Sequence, residues 1–141
     1  MRSPHPLHGT VLVAVALGGA VGACARHGLL VAFPDRSTGF PWTVFGVNVA
    51  GCLLLALLPA FEVVRRRPLL PPLLGTGVLG GFTTMSTYAE QSRSLVAAGE
   101  VGTAATYVVG TLAACLVAVL AADRFSDAAR RAQLDSEEGD L

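Results

Sequence analysis

Lysine is missing from this chain altogether: all ten basic residues among its 141 are arginines, and ten acidic residues balance them. A chain with no net charge and only 14% charged residues has no basic field with which to hold nucleic acid. Cysteine is scarce and odd in number. Cys24, Cys52 and Cys115 all fall inside apolar stretches, which argues against a disulfide framework, and no CxxC spacing occurs. His5, His8 and His27 are too dispersed to form a metal cluster. No nucleophile and base stand in a catalytic pattern, so an enzyme is not expected. The length leaves room for one domain. What the chain has in excess is apolar surface: 52% of its residues are hydrophobic and its mean hydropathy is +0.59, which places it among membrane proteins.

Four apolar stretches, at about residues 10–33, 42–62, 69–98 and 101–122, each meet the roughly 20 residues a helix needs to cross a bilayer. Residues 1–9 are then an N-terminal segment, 10–122 a four-helix transmembrane domain and 123–141 an increasingly acidic tail, read as a fraying helix with a partly disordered end. VGAC at residues 21–24 resembles a lipoprotein processing site, but three further spans follow it, and Cys24 reads better as a small residue in a packed helix. Arg2, Arg65, Arg66, Arg67, Arg124, Arg130 and Arg131 lie on one side of these spans and Arg36 alone on the other. That asymmetry predicts a cell-membrane protein with both termini in the cytoplasm.

Within the first span Ala14, Gly18, Gly22 and Arg26 recur every four residues. In the fourth, Gly102, Thr106, Gly110, Ala114, Ala118 and Ala122 do the same. Small residues at that spacing let helix backbones approach closely, and by themselves they predict packing, not function. Arg26 is costly at membrane depth unless it snorkels to the interface or faces a bundle interior. Asn48, early in an uncharged second span, has two open readings: an interhelical hydrogen bond, or an amide N–H directed into an anion path.

The third span contains GVLGGFTTMSTYAE at residues 77–90, with glycines at 77, 80 and 81 and hydroxyls at 83, 84, 86 and 87. Such a run is expected to break the helix at residues 80–84. A break inside a membrane is stable where the freed backbone faces protein or a polar cavity, and there it serves as an ion site. The glycines are not a phosphate loop, because neither a lysine nor a preceding strand accompanies them.

GGAVGACARHG at residues 18–28, TVFGVNVAGCLLL at 43–55 and GVLGGFTTMSTYAEQ at 77–91 together resemble the Fluc/CrcB family of small fluoride channels. The resemblance implies an all-α membrane protein of four transmembrane helices with the third broken, two subunits assembling antiparallel as a dual-topology dimer around two narrow pores. It implies passive, fluoride-selective export of toxic cytoplasmic fluoride. On these positions it makes Asn48, Met85, Ser86, Thr87 and Tyr88 the fluoride pore, with Thr87 the better candidate for direct anion contact. Arg26 and Glu90 fall at the vestibule. Gly80 and Thr83 would give backbone carbonyls to a structural sodium ion, Na+, at the dimer interface. The expected partners are fluoride, membrane lipid, and a second four-helix subunit that is a copy or a homologue.

Fluoride is small and strongly hydrated, so a selective pore must replace its water with close donors while still releasing it. Aromatic edges can contact anions mildly, and the family uses two phenylalanines of the third span in this way. Here those positions are Met85 and Tyr88, and His27 stands where tyrosine is usual. Together with the arginine bias, this departure predicts one fixed member of a heterodimer whose partner inserts oppositely. The competing readings are a small multidrug-type or proton-coupled exporter, for which Glu90 would be the coupling carboxylate, and a non-conducting structural membrane subunit.

Overall fold

Helices account for nearly all of the backbone in the computed structural model, which describes residues 6–36 and 38–139. The expected cytoplasmic placement of the two ends therefore rests partly on residues outside those described. Helix α1 spans Pro6–Ala32 and α2 spans Trp42–Leu57. A 3-10 turn at Leu58–Ala60 and the short α3, Glu62–Arg66, then lead to a π-helical segment, Pro72–Leu79. That segment runs into α4, Gly80–Phe82, and α5, Met85–Ala97, precedes the long α6, Val101–Gly139.

Three of these stretches, Gly9–Ala32, Trp42–Ala60 and Val101–Ser126, are long and apolar enough to cross a membrane. Their outward faces carry large apolar side chains with little cover, including Leu12, Leu17, Val109 and Leu120, each at least 60% exposed. In water such a surface would aggregate; against lipid it is the expected exterior. The molecule is an all-α, multi-span membrane bundle with one bent helix.

Local chemistry sets the helix ends. Pro41 stands at the N-cap of α2, and the missing side-chain cap is supplied from the preceding loop, where Asp35 Oδ1 accepts from Thr43 N at 3.0 Å. Thr43 Oγ1 donates to Phe33 O at 2.6 Å and ties the end of α1 to the same turn. Trp42, 67% exposed and tilted 44° against Phe40 with ring centroids 4.4 Å apart, begins α2 as an interfacial aromatic would. Beyond α2, Arg65 Nη1 donates to Pro59 O at 2.7 Å and Ala60 O at 3.2 Å, placing a cation where the last carbonyls gather. Between α5 and α6 the chain turns at Gly99, whose φ of +84° favours glycine, with Glu100 N donating to Leu95 O and Gly99 N to Val96 O, the two bonds of a Schellman motif.

The bent helix packs against α1, and α6 packs against α2 and α5. The α1 stripe is the reason for the first contact. A Cβ at Gly18 or Gly22 would run into the backbone of the π-helical segment, at Leu73 O and Val78 O respectively. Small residues thus bring two backbones together in a solvent that gives apolar helices little other reason to associate. The α6 stripe behaves differently. Gly102 and Gly110 have nothing within contact distance, the stripe becomes buried only at its far end, at Ala122, and in its first half α6 buries Ala104, Tyr107 and Thr111 instead. The larger residues won that face because Tyr107 fills the space between Val44 and Leu95, with Phe40 and Tyr88 packed on it.

Candidate functional site

The third apolar stretch comes apart at two residues. Thr83, with ψ 157°, and Thr84, with φ −146° and ψ 118°, are extended between α4 and α5. The break falls within the segment expected from the sequence. Less expected is the wide π-helical turn before it, running from Pro72 to Leu79; such turns are rare and concentrate at functional sites.

A break strands peptide groups, and named side chains receive them. Asn48 on α2 makes two bonds to Thr84: Thr84 N donates to Asn48 Oδ1 at 2.9 Å, and Asn48 Nδ2 donates to Thr84 O at 3.1 Å. One side-chain amide thus pairs with both polar groups of an extended residue, as a neighbouring strand would. Thr84 Oγ1 caps α5 by accepting from Thr87 N at 3.1 Å. Arg26, at the end of the α1 stripe, donates through Nε to Gly81 O at 3.3 Å. In an unbroken helix Gly81 O would accept from Met85 N. The guanidinium occupies the place of that donor.

Two carbonyls lose their helical donors by the same logic. Thr84 N, which would serve Gly80 O in a continuous helix, is held by Asn48, and Thr87 N, which would serve Thr83 O, is held by Thr84 Oγ1. The Thr83 hydroxyl is itself committed to Leu79 O at 3.0 Å. Gly80 and Thr83 thus carry backbone oxygens released from helical pairing. These are hard donors of the kind that broken membrane helices turn toward sodium.

The hydroxyls gather on the α5 side. Thr84 Oγ1 lies 3.0 Å from Thr87 Oγ1, to which it donates, and 3.3 Å from Ser86 Oγ. Since Thr87 Oγ1 accepts that bond, its own proton is free for another acceptor, and one N–H of the Asn48 amide remains as well. Asn48, Gly80, Thr83, Thr84, Met85 and Tyr88 all line one open cavity of about 610 Å3, whose wall is completed by Cys52 and Leu55 of α2, Thr76 and Leu79 of the π-helical segment, and Thr111 and Cys115 of α6; Ser86 and Thr87 stand at the break but do not line it. Met85, 77% exposed, stands at its edge. Tyr88 turns toward α6 and donates through its hydroxyl to Val108 O at 2.9 Å, with its ring 5.1 Å from that of Tyr107.

Glu90 does not join this group. Arg93 grips its carboxylate with two bonds, Nη2 to Oε1 at 2.7 Å and Nε to Oε2 at 3.1 Å, while Ser94 Oγ donates to Oε1 at 3.1 Å. The structure thus brings Arg26, Asn48, Gly80, Thr83, Ser86 and Thr87 to the break, stands Met85 and Tyr88 along the same cavity, and sets Glu90 apart on a paired surface.

Two polar residues of α6 carry no signal strong enough to single them out in the sequence. Thr111 is 4% exposed, lines the cavity, and its hydroxyl has no partner among the described residues. Tyr107 is fully buried and donates to Gln91 Oε1 at 2.9 Å. The available hint was the recurrence of Tyr107, Thr111 and Cys115 every four residues in an uncharged span.

Comparison with known proteins places this geometry in context. The sequence profile of a family described as "CrcB-like protein, Camphor Resistance (CrcB)" matches residues 13–122. Fluoride-specific ion channel FluC 1 of Streptomyces coelicolor is 46% identical over 120 residues, covering 84% of this chain and 78% of that protein. Fluoride-specific ion channel FluC of Paracoccus denitrificans is 45% identical over 107 residues, covering 76% and 86%. Fluoride-specific ion channel FluC 2 of Thermobifida fusca is 46% identical over 116 residues, covering 79% and 84%.

Proposed function

Since this chain belongs to the CrcB family, whose relatives above are fluoride-specific ion channels, we infer that it is itself a passive, fluoride-selective channel subunit and not an enzyme. The observation that carries the reading within the molecule is the break at Thr83 and Thr84. It is held open by Asn48 and Arg26 and leaves hydroxyl and amide donors beside a cavity. Fluoride gives up tightly held water only to close donors, and Thr87 O–H and the second Asn48 N–H are available to supply them, while Ser86 spends its proton on Thr84 Oγ1 and orients that hydroxyl. Met85 and Tyr88 flank that path, and Arg26 draws anions toward its mouth.

The bent segment completes a fourth crossing, and the working unit is a pair of such subunits in opposite orientation. The open cavity supports a second subunit lying against it, and Gly102 and Gly110, on another part of α6, leave room for close approach there as well. Gly80 and Thr83 give two carbonyls per chain, fewer than a sodium ion coordinates, so the same residues of a partner would complete the site for a structural Na+. When bound, such an ion would supply a positive charge toward which Gly80 O and Thr83 O could turn; these two carbonyls are this chain's share of the site.

Arg65, Arg66, Arg67 and Arg124 on one side, against Arg36 on the other, favour a single orientation in the cell membrane with the termini inside. A subunit fixed in one orientation needs an oppositely inserted homologue. Met85, without an aromatic edge, points the same way. Against a proton-coupled exporter, the only carboxylate of the third stretch, Glu90, is already neutralised by Arg93.

The deciding experiment is fluoride and chloride efflux from liposomes holding this chain alone, then this chain with a homologous four-span subunit. Fluoride efflux without chloride efflux is expected. Conduction by this chain alone would remove the need for a homologue, and no fluoride efflux in either preparation would overturn the channel reading.

A further inference from the structure

The same cavity also holds a different chemistry. Cys52 on α2 and Cys115 on α6 both line it, both are free thiols, and they face each other closely enough to interact. They sit on two helices packed along their length, so their separation is set by the bundle and not by a flexible loop. Leu55, Leu79 and Leu112 line the same cavity, and the unpartnered Thr111 hydroxyl stands one helical turn before Cys115.

Two sulfurs held by rigid elements form a soft donor set. Among the described residues no group of three or more histidine, cysteine or acidic side chains could hold a metal, so an ion demanding four ligands finds too few here. Charge narrows the choice further. In an apolar wall an uncompensated charge is expensive. Two thiolates around a monovalent ion leave one negative charge, while two thiolates around a divalent ion leave none.

We propose that Cys52 and Cys115 form a two-thiolate site for a soft divalent cation, with mercuric ion as the fitting occupant. Supplied as uncharged mercuric chloride, the ion can pass through lipid to reach the pair. Both S–H bonds break, two Hg–S bonds form, and two protons and two chloride ions leave. No electrons are transferred and no oxidant is needed. The product bridges α2 to α6 beside Asn48 and Thr111. The site is independent of the channel reading, because its occupancy is measured without any flux.

The test uses the full chain in detergent with one equivalent of mercuric chloride, followed by gel filtration against a weakly competing monothiol and measurement of mercury per chain. In parallel, each cysteine is labelled with maleimide after unfolding in denaturant, so that only bound mercury and not burial can protect a thiol, and the labelling is read by peptide mass spectrometry. The wild type and Cys24→Ser are expected to retain one mercury per chain, with Cys52 and Cys115 both protected. Cys52→Ser and Cys115→Ser are each expected to lose retention. Wild-type retention in either of those variants, or loss of retention in Cys24→Ser, would overturn the site. Should a serine variant fail to fold, the labelling pattern of the unmutated chain still decides between site and no site: labelling of Cys52 or Cys115 undiminished by mercury overturns the proposal.

Discussion

Asn48 and Thr84 pair through two hydrogen bonds, 2.9 Å and 3.1 Å, that join one side-chain amide to both polar groups of an extended residue in the middle of a broken helix. The pairing reconciles two roles for Asn48. It makes an interhelical bond and still keeps a donor for the proposed anion path, because an amide has two N–H groups and Thr84 takes only one.

Aspartate at this position keeps an acceptor for Thr84 N but gives nothing to Thr84 O, and it adds negative charge beside the path. Asn48→Asp is therefore expected to lower fluoride efflux from liposomes by at least about tenfold, a barrier change of about 1.4 kcal/mol. Asn48→Leu, which strands both Thr84 groups, should cost about 1–3 kcal/mol for each buried group left unpaired. Thermal unfolding in detergent would read this as a lowered midpoint. Wild-type flux in Asn48→Asp would remove Asn48 from the path.

Arg26 makes a parallel case from α1. Its Nε serves Gly81 O, so Arg26→Ala leaves a carbonyl in the break without its charged donor. The expected loss is about 1.5–3 kcal/mol, the range for a hydrogen bond to a charged group. Lysine reaches with a point charge and no planar fork, so Arg26→Lys should recover only part of the loss. Equal unfolding midpoints for wild type and Arg26→Ala would show that the bond contributes nothing to holding the break.

The break, its approximate place and most of the residues around it were legible in the sequence, because glycines and hydroxyls at membrane depth have few uses. What each residue does there was not. A lone Asn48 or Arg26 names no partner, and the partners are peptide groups, which every residue carries and no sequence pattern marks. The α6 stripe told only part of its packing, for a related reason: Ala122 at its end is buried, while Gly102 at its start meets nothing. Small residues show which faces permit close approach, while the choice among faces depends on what stands opposite, here Val44 and Leu95 around Tyr107. Thr111 is silent in the sequence because one threonine in an apolar span reads as neutral until its hydroxyl is found buried without a partner.

The α1 stripe and the α6 stripe give opposite predictions for the same substitution. At Gly22 a Cβ would meet the Val78 carbonyl, and backbone cannot swing aside as a side chain can, so Gly22→Ala is expected to cost at least about 1–3 kcal/mol. Nothing stands within reach of Gly102, where alanine also has the better helix propensity, and the isolated subunit should tolerate Gly102→Ala or gain up to about 1 kcal/mol. A second subunit packed on that face reverses the second result. Gly102→Ala should then leave the unfolding midpoint of the single chain no lower than in the wild type but shift the protein toward the smaller species by size-exclusion with light scattering.

The cap at the start of α2 is testable by a pair of changes. Asp35 acts as an acceptor for Thr43 N, a duty asparagine can also perform. Asp35→Ala should cost about 1 kcal/mol, in line with a lost N-cap, while Asp35→Asn should lose less. Equal losses in both variants would mean that the carboxylate charge, and not the bond to Thr43, is what the loop uses.

Glu90 separates a channel from a coupled exporter. An exporter driven by protons needs a carboxylate that exchanges its proton during transport, and in the third stretch only Glu90 could serve. Its two oxygens are held by Arg93 and Ser94 on an exposed face, away from the cavity at the break. Glu90→Gln removes any proton exchange and keeps a carbonyl oxygen for Arg93 to donate to. Fluoride efflux from liposomes should stay within about twofold of wild type, a difference below about 0.5 kcal/mol in barrier height. It should also follow the fluoride gradient whether or not a pH gradient is imposed. Loss of flux in Glu90→Gln, with fluoride accumulating uphill in the wild type when a pH gradient is present, would establish coupling and replace the passive pore with a carrier.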